Sequence, residues 1–245
     1  MNRLISAEWY RARKSAHALR RTLILIIFFV GMGFFDTYSY VDDITVTKGF
    51  GDFFGMFSAM NIYITIAVGC IFAFSYENKL LHFDMMAGNK ISHIILSKVI
   101  VLAPMITLFS TACIAIASAI VANKIGIGDM SIFVSDLLLF ICIDFRVMVS
   151  AILIMTIFKG AIGVGIIFVR FTAFDLFLAF IVSLLSDGNE IFGKILMTFT
   201  SVEYSCLNGT KLASGDVVIT VVSMIVEILV WYVLSYISHK KKAFY

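Results

Sequence analysis

A chain of 245 residues that is 61% hydrophobic and 14% charged is far from the near-quarter charged content of water-soluble domains, so the bilayer is its expected solvent. About 20 apolar residues cross a hydrocarbon core of roughly 30 Å as a helix, which caps this length at about six spans. The formal net charge of +3 leaves no nucleic-acid footprint, and the scattered cysteines Cys70, Cys113, Cys142 and Cys206 imply neither a disulfide framework nor a metal site.

In chain order, residues 1–21 read as a cytoplasmic amphipathic interfacial helix. Ile5, Trp9, Ala12, Ala16 and Leu19 recur at three- and four-residue spacing, with Arg3, Arg11 and Lys14 elsewhere on the wheel. No small-residue cleavage site follows, so no cleaved signal peptide is expected. Apolar runs near 22–40, 53–75, 96–122, 132–158, 161–185 and 217–238 are each long enough to span with some tilt, giving a six-helix transmembrane domain over 22–238. Pro104 predicts a kink in the third span. The small residues Ser110, Thr111, Ala112, Ala115, Ser118, Ala119 and Ala122 suit close helix packing there. Residues 186–215 are too polar to span, yet Ile191, Phe192, Ile195, Leu196, Met197 and Phe199 suit an outer re-entrant segment. Residues 239–245 form a basic tail.

Charge distribution sets the expected orientation. With the N-terminus inside, the cytoplasmic side carries Arg3, Arg11, Arg13, Lys14, Arg20, Arg21, Lys79, Lys90, Lys98, Lys159, Lys240, Lys241 and Lys242, 13 of the 19 basic residues. The outer side carries Lys48, Lys124, Lys194 and Lys211 beside Asp36, Asp42, Asp43, Asp52, Asp129, Asp187, Glu190, Glu203 and Asp216. This asymmetry predicts a multi-pass plasma-membrane protein with both termini in the cytoplasm.

Motifs for chemistry are few. Gly188 to Ile195 nearly spells a phosphate loop, but Ile195 stands where the magnesium-binding hydroxyl belongs, no strand precedes it, and the topology puts it outside. The histidines His17, His82, His93 and His239 show no metal-binding spacing. Five charged residues, Asp144, Arg146, Arg170, Asp175 and Glu227, fall well within spans, where each costs about 3 kcal/mol if it faces lipid. They are expected inside the bundle, as buried ion pairs or as the lining of a polar translocation path. Asp144 and Arg146 are two apart and point to different sides, so their partners must come from other spans. Arg146 lies 13 residues from Lys159, Arg170 lies 10 from Gly160, and Glu227 lies 11 from Ser238. At about 1.5 Å per residue these depths match, so Glu227 is expected to pair with Arg146 or Arg170.

The stretch 76–93 carries a resemblance. Glu77-Asn78, Met85-Met86-Ala87-Gly88 and Ile95-Leu96 with Lys98 match the loop after the second span in the membrane subunits of type-2 ABC exporters. There a glutamate-led motif, an apolar pair, Ala-Gly and an Ile-Leu re-entry followed by a lysine form a coupling helix. Lys79 stands where glycine is usual, and Asn89-Lys90-Ile91-Ser92 replaces the usual turn. The chain thus resembles a small six-span, all-α permease of peptide-export or peptide-immunity type, in the bacterial cell membrane.

The resemblance implies that Glu77, Asn78, Met86, Gly88, Asn89, Lys90 and His93 contact a separate ATP-binding subunit, present in two copies. That partner, not this chain, would bind ATP and magnesium and act as the enzyme. It also implies a second permease, identical or related, and an exported cargo of amphipathic or antimicrobial peptide, with drugs or other hydrophobic small molecules as the alternative. A membrane-embedded enzyme built on Asp144, Asp175 and Glu227, or a non-transporting membrane regulator, are the readings from other classes.

Overall fold

The computed structural model describes residues 1–14, 20, 23–24, 26–28, 31, 84–158, 160–171, 175–186, 194–195, 198–199, 202 and 214–242. Among them there is no strand. The helices are α1 (Asn2–Lys14), α2 (Ile91–Ile125), α3 (Met130–Ile157), α4 (Gly160–Val169), α5 (Asp175–Ser186) and α6 (Ser214–Lys242). Of these, α2, α3 and α6 are long and apolar enough to cross a membrane. The second expected span, most of the first and most of the outer segment 186–215 lie outside the described residues.

The α2–α3 hairpin is made by local chemistry. At Lys90 the backbone is extended, and its carbonyl accepts from the His93 and Ile94 amides to start α2. The helix runs unbroken through Pro104 for 35 residues, roughly 52 Å at 1.5 Å per residue. It ends at Gly126, whose φ of 80° suits a residue lacking Cβ. Asp129 then caps α3, its Oδ1 accepting from the Ser131 amide at 2.8 Å, a contact worth about 1 kcal/mol.

Packing makes α3 central, touching α2, α4 and α6. Of its apolar window 72% is buried, against 39% for α2 and 6% for α6, so α6 covers α3 with one face and turns the rest outward. Phe140, Ile143, Val147 and Ile152 of α3 meet Ile106, Ile114 and Ala117 of α2 in the core. Of the small residues expected to pack α2, Ser110 and Ser118 are buried, while Ala112 and Ala119 face out. Val218, Val222, Val226 and Val230 form an exposed apolar side of α6, which lipid solvates at no cost and water would penalise.

The face of α1 turned to the protein is Leu4, Glu8 and Ala12, with Ile5 beside it, while Trp9 is 48% exposed. Ion pairs made by Glu8 and Arg11 with α2 and the preceding turn rotate the helix, drawing a polar edge inward past the thin apolar stripe. Of the fifth apolar run, expected as one span over 161–185, the described residues form α4, a wider π-type turn at Arg170 and Phe171, and α5, with 172–174 outside the described residues. Gly163 sits at the close approach of α4 to the end of α3. A Cβ there would overlap the Phe158 carbonyl oxygen and come within 2.6 Å of Met155 Sδ.

Candidate functional site

Two polar clusters stand out among the described residues, one deep in the bundle and one joining α1 to the start of α2. The deep cluster centres on Glu227 of α6. Its Oε2 accepts from Arg146 of α3, at 2.7 Å from Nε and 2.6 Å from Nη2. Its Oε1 accepts from Arg170 Nη2 at 3.1 Å and from Trp231 Nε1 at 3.3 Å. Arg146 also donates from Nη1 to Ser223 Oγ at 3.1 Å and from Nη2 to the Thr198 carbonyl at 2.9 Å.

Thus one carboxylate ties α3, α6 and the turn after α4 together. Desolvating a charge costs several kcal/mol, and only a set of short, charge-assisted bonds such as these compensates. Arg170 also stacks over Phe171, 5.3 Å from the ring centroid.

Two residues earlier on α3, Asp144 is fully buried and faces the other way, because two residues turn a helix by about 200°. Its Oδ2 lies 2.9 Å from Ser110 Oγ of α2, and that hydroxyl is also 3.0 Å from the Thr107 carbonyl. Nearer the end of the α3–α6 contact, the Thr156 and Ser235 hydroxyls are hydrogen-bonded, and His239 Nδ1 lies 2.9 Å from the Ser235 carbonyl.

The second cluster joins α1 to the start of α2. Glu8 Oε1 accepts from Lys98 Nζ at 3.0 Å and Arg11 Nη1 at 2.6 Å. Arg11 grips Asp84 in a fork, with Nη1 to Oδ2 and Nη2 to Oδ1 both at 2.7 Å. The hydrogen bond to Asp84, with Glu8 adding, holds the Arg11 guanidinium above its already high ordinary pKa despite partial burial. Asp84 also opens a tight turn: its carbonyl accepts from the Asn89 side-chain and backbone nitrogens, at 3.0 and 3.3 Å. Gly88 supplies the positive φ of 80° that this turn requires.

The sequence-derived candidates fall as follows. Glu77 and Asn78 lie outside the described residues, as does the side chain of Asp175. Met86 is 73% exposed on the Asp84 turn, Asn89 braces that turn, and Lys90 is exposed. His93 lies in the first turn of α2 and not in the loop. Arg146, Arg170 and Glu227 come together, whereas Asp144 faces a different helix.

Sequence reasoning missed the pairing of Glu8 and Arg11 with Asp84 and Lys98. The available signal was Glu8 itself, the lone acid among the first 21 residues. It also missed the row Ser223, Glu227, Trp231, Ser235 and His239, spaced by four along α6, although that spacing is the mark of one helix face.

Among the described residues no three His, Cys, Asp or Glu side chains gather as a metal site. What the two clusters can do is mechanical and electrostatic: hold helices together at fixed points and present charge inside an apolar bundle. No family model and no curated relative matches the chain.

Proposed function

We propose that this chain is the membrane permease subunit of an ATP-driven exporter of the type-2 ABC kind. It would have six spans and both termini in the cytoplasm, and would work as a pair of permeases with two ATP-binding subunits. The observation that carries the reading is the Glu8–Arg11–Asp84–Lys98 network. It locks the turn at Asp84–Lys90, where the resemblance puts the partner's docking site, to α1 and to the first turns of α2. A push on that turn is then delivered to α2 as a lever, and passes to α3 and α6 through their shared core and the Arg146–Glu227 bond. Exposed Met86 offers an apolar contact on the same turn.

ATP hydrolysis belongs to the partner, and this chain converts its motion into a shift between membrane arrangements. The cargo is amphipathic, either a peptide or a hydrophobic small molecule. The test is coexpression with an ATP-binding-cassette protein from the neighbouring reading frame. The two should copurify, and the ATPase rate of the complex should fall on Glu77→Ala or Arg11→Ala. Copurification with an unchanged rate in both variants would remove the coupling role.

A further inference from the structure

Asp144 sits midway along α3, with none of its surface exposed. Its polar surroundings are hydroxyls. Oδ2 lies 2.9 Å from Ser110 Oγ, and the Thr107 hydroxyl stands beside the same carboxylate. Oδ1 and Thr107 Oγ1 are both buried and both without a hydrogen-bond partner. The Ser110 hydroxyl has a single hydrogen for two acceptors, Asp144 Oδ2 and the Thr107 carbonyl at 3.0 Å, whereas an ionised carboxylate offers about four acceptor positions. At most one neutral donor therefore meets the charge.

Among the described residues no charged side chain answers it, for the groups that act on Asp144 are the two hydroxyls alone. On α3 itself Arg146 turns to α6, where it bonds Glu227, and Asp136, eight residues before Asp144, is another acid. On α2 His93 lies in the first turn and Lys124 in the last, Lys98 is bonded to Glu8, and the partly buried Cys113 is a free thiol. Arg170, in the turn after α4, bonds Glu227 on the opposite side of α3. On α6 His239 lies in the last turn against the Ser235 carbonyl, and Asp216 in the first.

A carboxylate taken out of water costs far more than one hydroxyl returns, so buried acids pair with a cation, coordinate a metal or hold a proton. We propose that Asp144, Ser110 and Thr107 form a site for one monovalent cation, a proton or a sodium ion, held between α2 and α3. A proton on Oδ1 makes that atom a donor toward the Thr107 hydroxyl. A sodium ion in the same place meets only oxygen ligands, which hard cations prefer. A divalent ion would leave a buried positive charge on a single carboxylate, since no cluster of acids gathers there among the described residues. A water molecule would supply hydrogens without neutralising the charge. The site does not depend on the exporter reading. Loaded, it makes the α2–α3 contact electrically neutral; emptied, it leaves a bare carboxylate between packed helices, so release of the cation requires water to reach Asp144 and α2 to part from α3 there.

The experiment records infrared spectra of the full-length protein in liposomes at neutral pH, first with choline as the added cation and then with sodium, and measures sodium-22 binding to the same samples. In choline the carbonyl-stretch band of a protonated carboxylic acid is expected, and it should be lost in Asp144→Asn, which keeps the shape but cannot ionise. Ser110→Ala should move that band to higher frequency, because it removes a hydrogen bond made to this carboxyl. The shift identifies Asp144 even where Asp144→Asn does not fold. A band that sodium leaves unchanged makes the ligand a proton. A band that sodium bleaches, with saturable sodium-22 binding weakened about tenfold or more in Asp144→Asn, makes it a sodium ion. If no acid band is lost in Asp144→Asn or moved in Ser110→Ala, and sodium-22 does not bind, Asp144 is a bare carboxylate and the proposal is overturned.

Discussion

Replacing Glu227 removes the carboxylate that Arg146 and Arg170 both bond, and breaking a buried ion pair from one side typically costs about 3–5 kcal/mol. Glu227→Ala is therefore expected to lower stability by that order in a denaturant titration of the detergent-solubilised protein. Arg146→Met combined with Glu227→Met should lose less than the two single changes added together, because the pair leaves together. Additive losses would show that the bond contributes nothing. Helical rise alone put these residues at matched depth, which is why this much of the site was legible in the sequence. The hydroxyl and carbonyl of Ser223 and Thr198 were not, since nothing in spacing says which polar atoms a guanidinium's remaining donors will reach. Two glycines two residues apart on α4 should behave oppositely. Gly163→Ala meets Phe158 and Met155 and should cost about 1–3 kcal/mol as overpacking. Gly165→Ala meets open space and should stabilise by up to about 1 kcal/mol through helix propensity, both read as shifts in thermal midpoint.

At the scale of elements, α1 and α2 are joined more by charge than by apolar area. Glu8 and Lys98 are 4% and 3% exposed, where salt screens little, so this junction should hold at high ionic strength. Glu8→Gln keeps the shape and removes the charge from Lys98 and Arg11, at a cost of about 1.5–3 kcal/mol for a charged hydrogen-bonded group. Faster amide exchange is expected throughout α1 and the first two turns of α2, with α3 unchanged; exchange that rises equally in α3 would mean global loosening and not a latch. Arg11 adds no pH dependence near neutrality. Its folded-state pKa is raised, so its stabilisation is complete below the unfolded value and lost only in strong alkali. The described long helices were readable from apolar runs, whereas the cap that Asp129 gives α3 was not read there. The rotation of α1 was not readable, because a stripe with only Trp9 as a large residue is outweighed by two ion pairs formed with residues more than 70 positions away. The wider π-type turn at Arg170 was hidden for a related reason: Arg170 sits in a continuous apolar run, and its partner Glu227 lies on α6.

For the whole molecule, the length of α2 makes orientation testable. Its roughly 52 Å exceeds a core of about 30 Å by some 20 Å, so one end must stand clear of the hydrocarbon. The end that carries Lys90 and Lys98, with Lys98 sequestered by Glu8, is the end that the proposed orientation, drawn from the excess of lysine and arginine, would place in the cytoplasm. In that orientation the short Gly126–Asp129 connection between α2 and α3 would lie outside, at the far end of a hairpin whose two helices are packed along their length. In a background lacking Cys70, Cys113, Cys142 and Cys206, a membrane-impermeant maleimide applied to intact cells should label Ile127→Cys. It should label Lys90→Cys only after the membrane is opened. Labelling of both from outside would break the hairpin topology; the reverse pattern would keep the fold but invert it. Inversion would carry Met86 and the Asp84 turn away from cytosolic ATP, and with them the whole case for a permease driven from that side. The positive-inside charge and the exporter reading therefore depend on the same labelling result, whereas the latch does not.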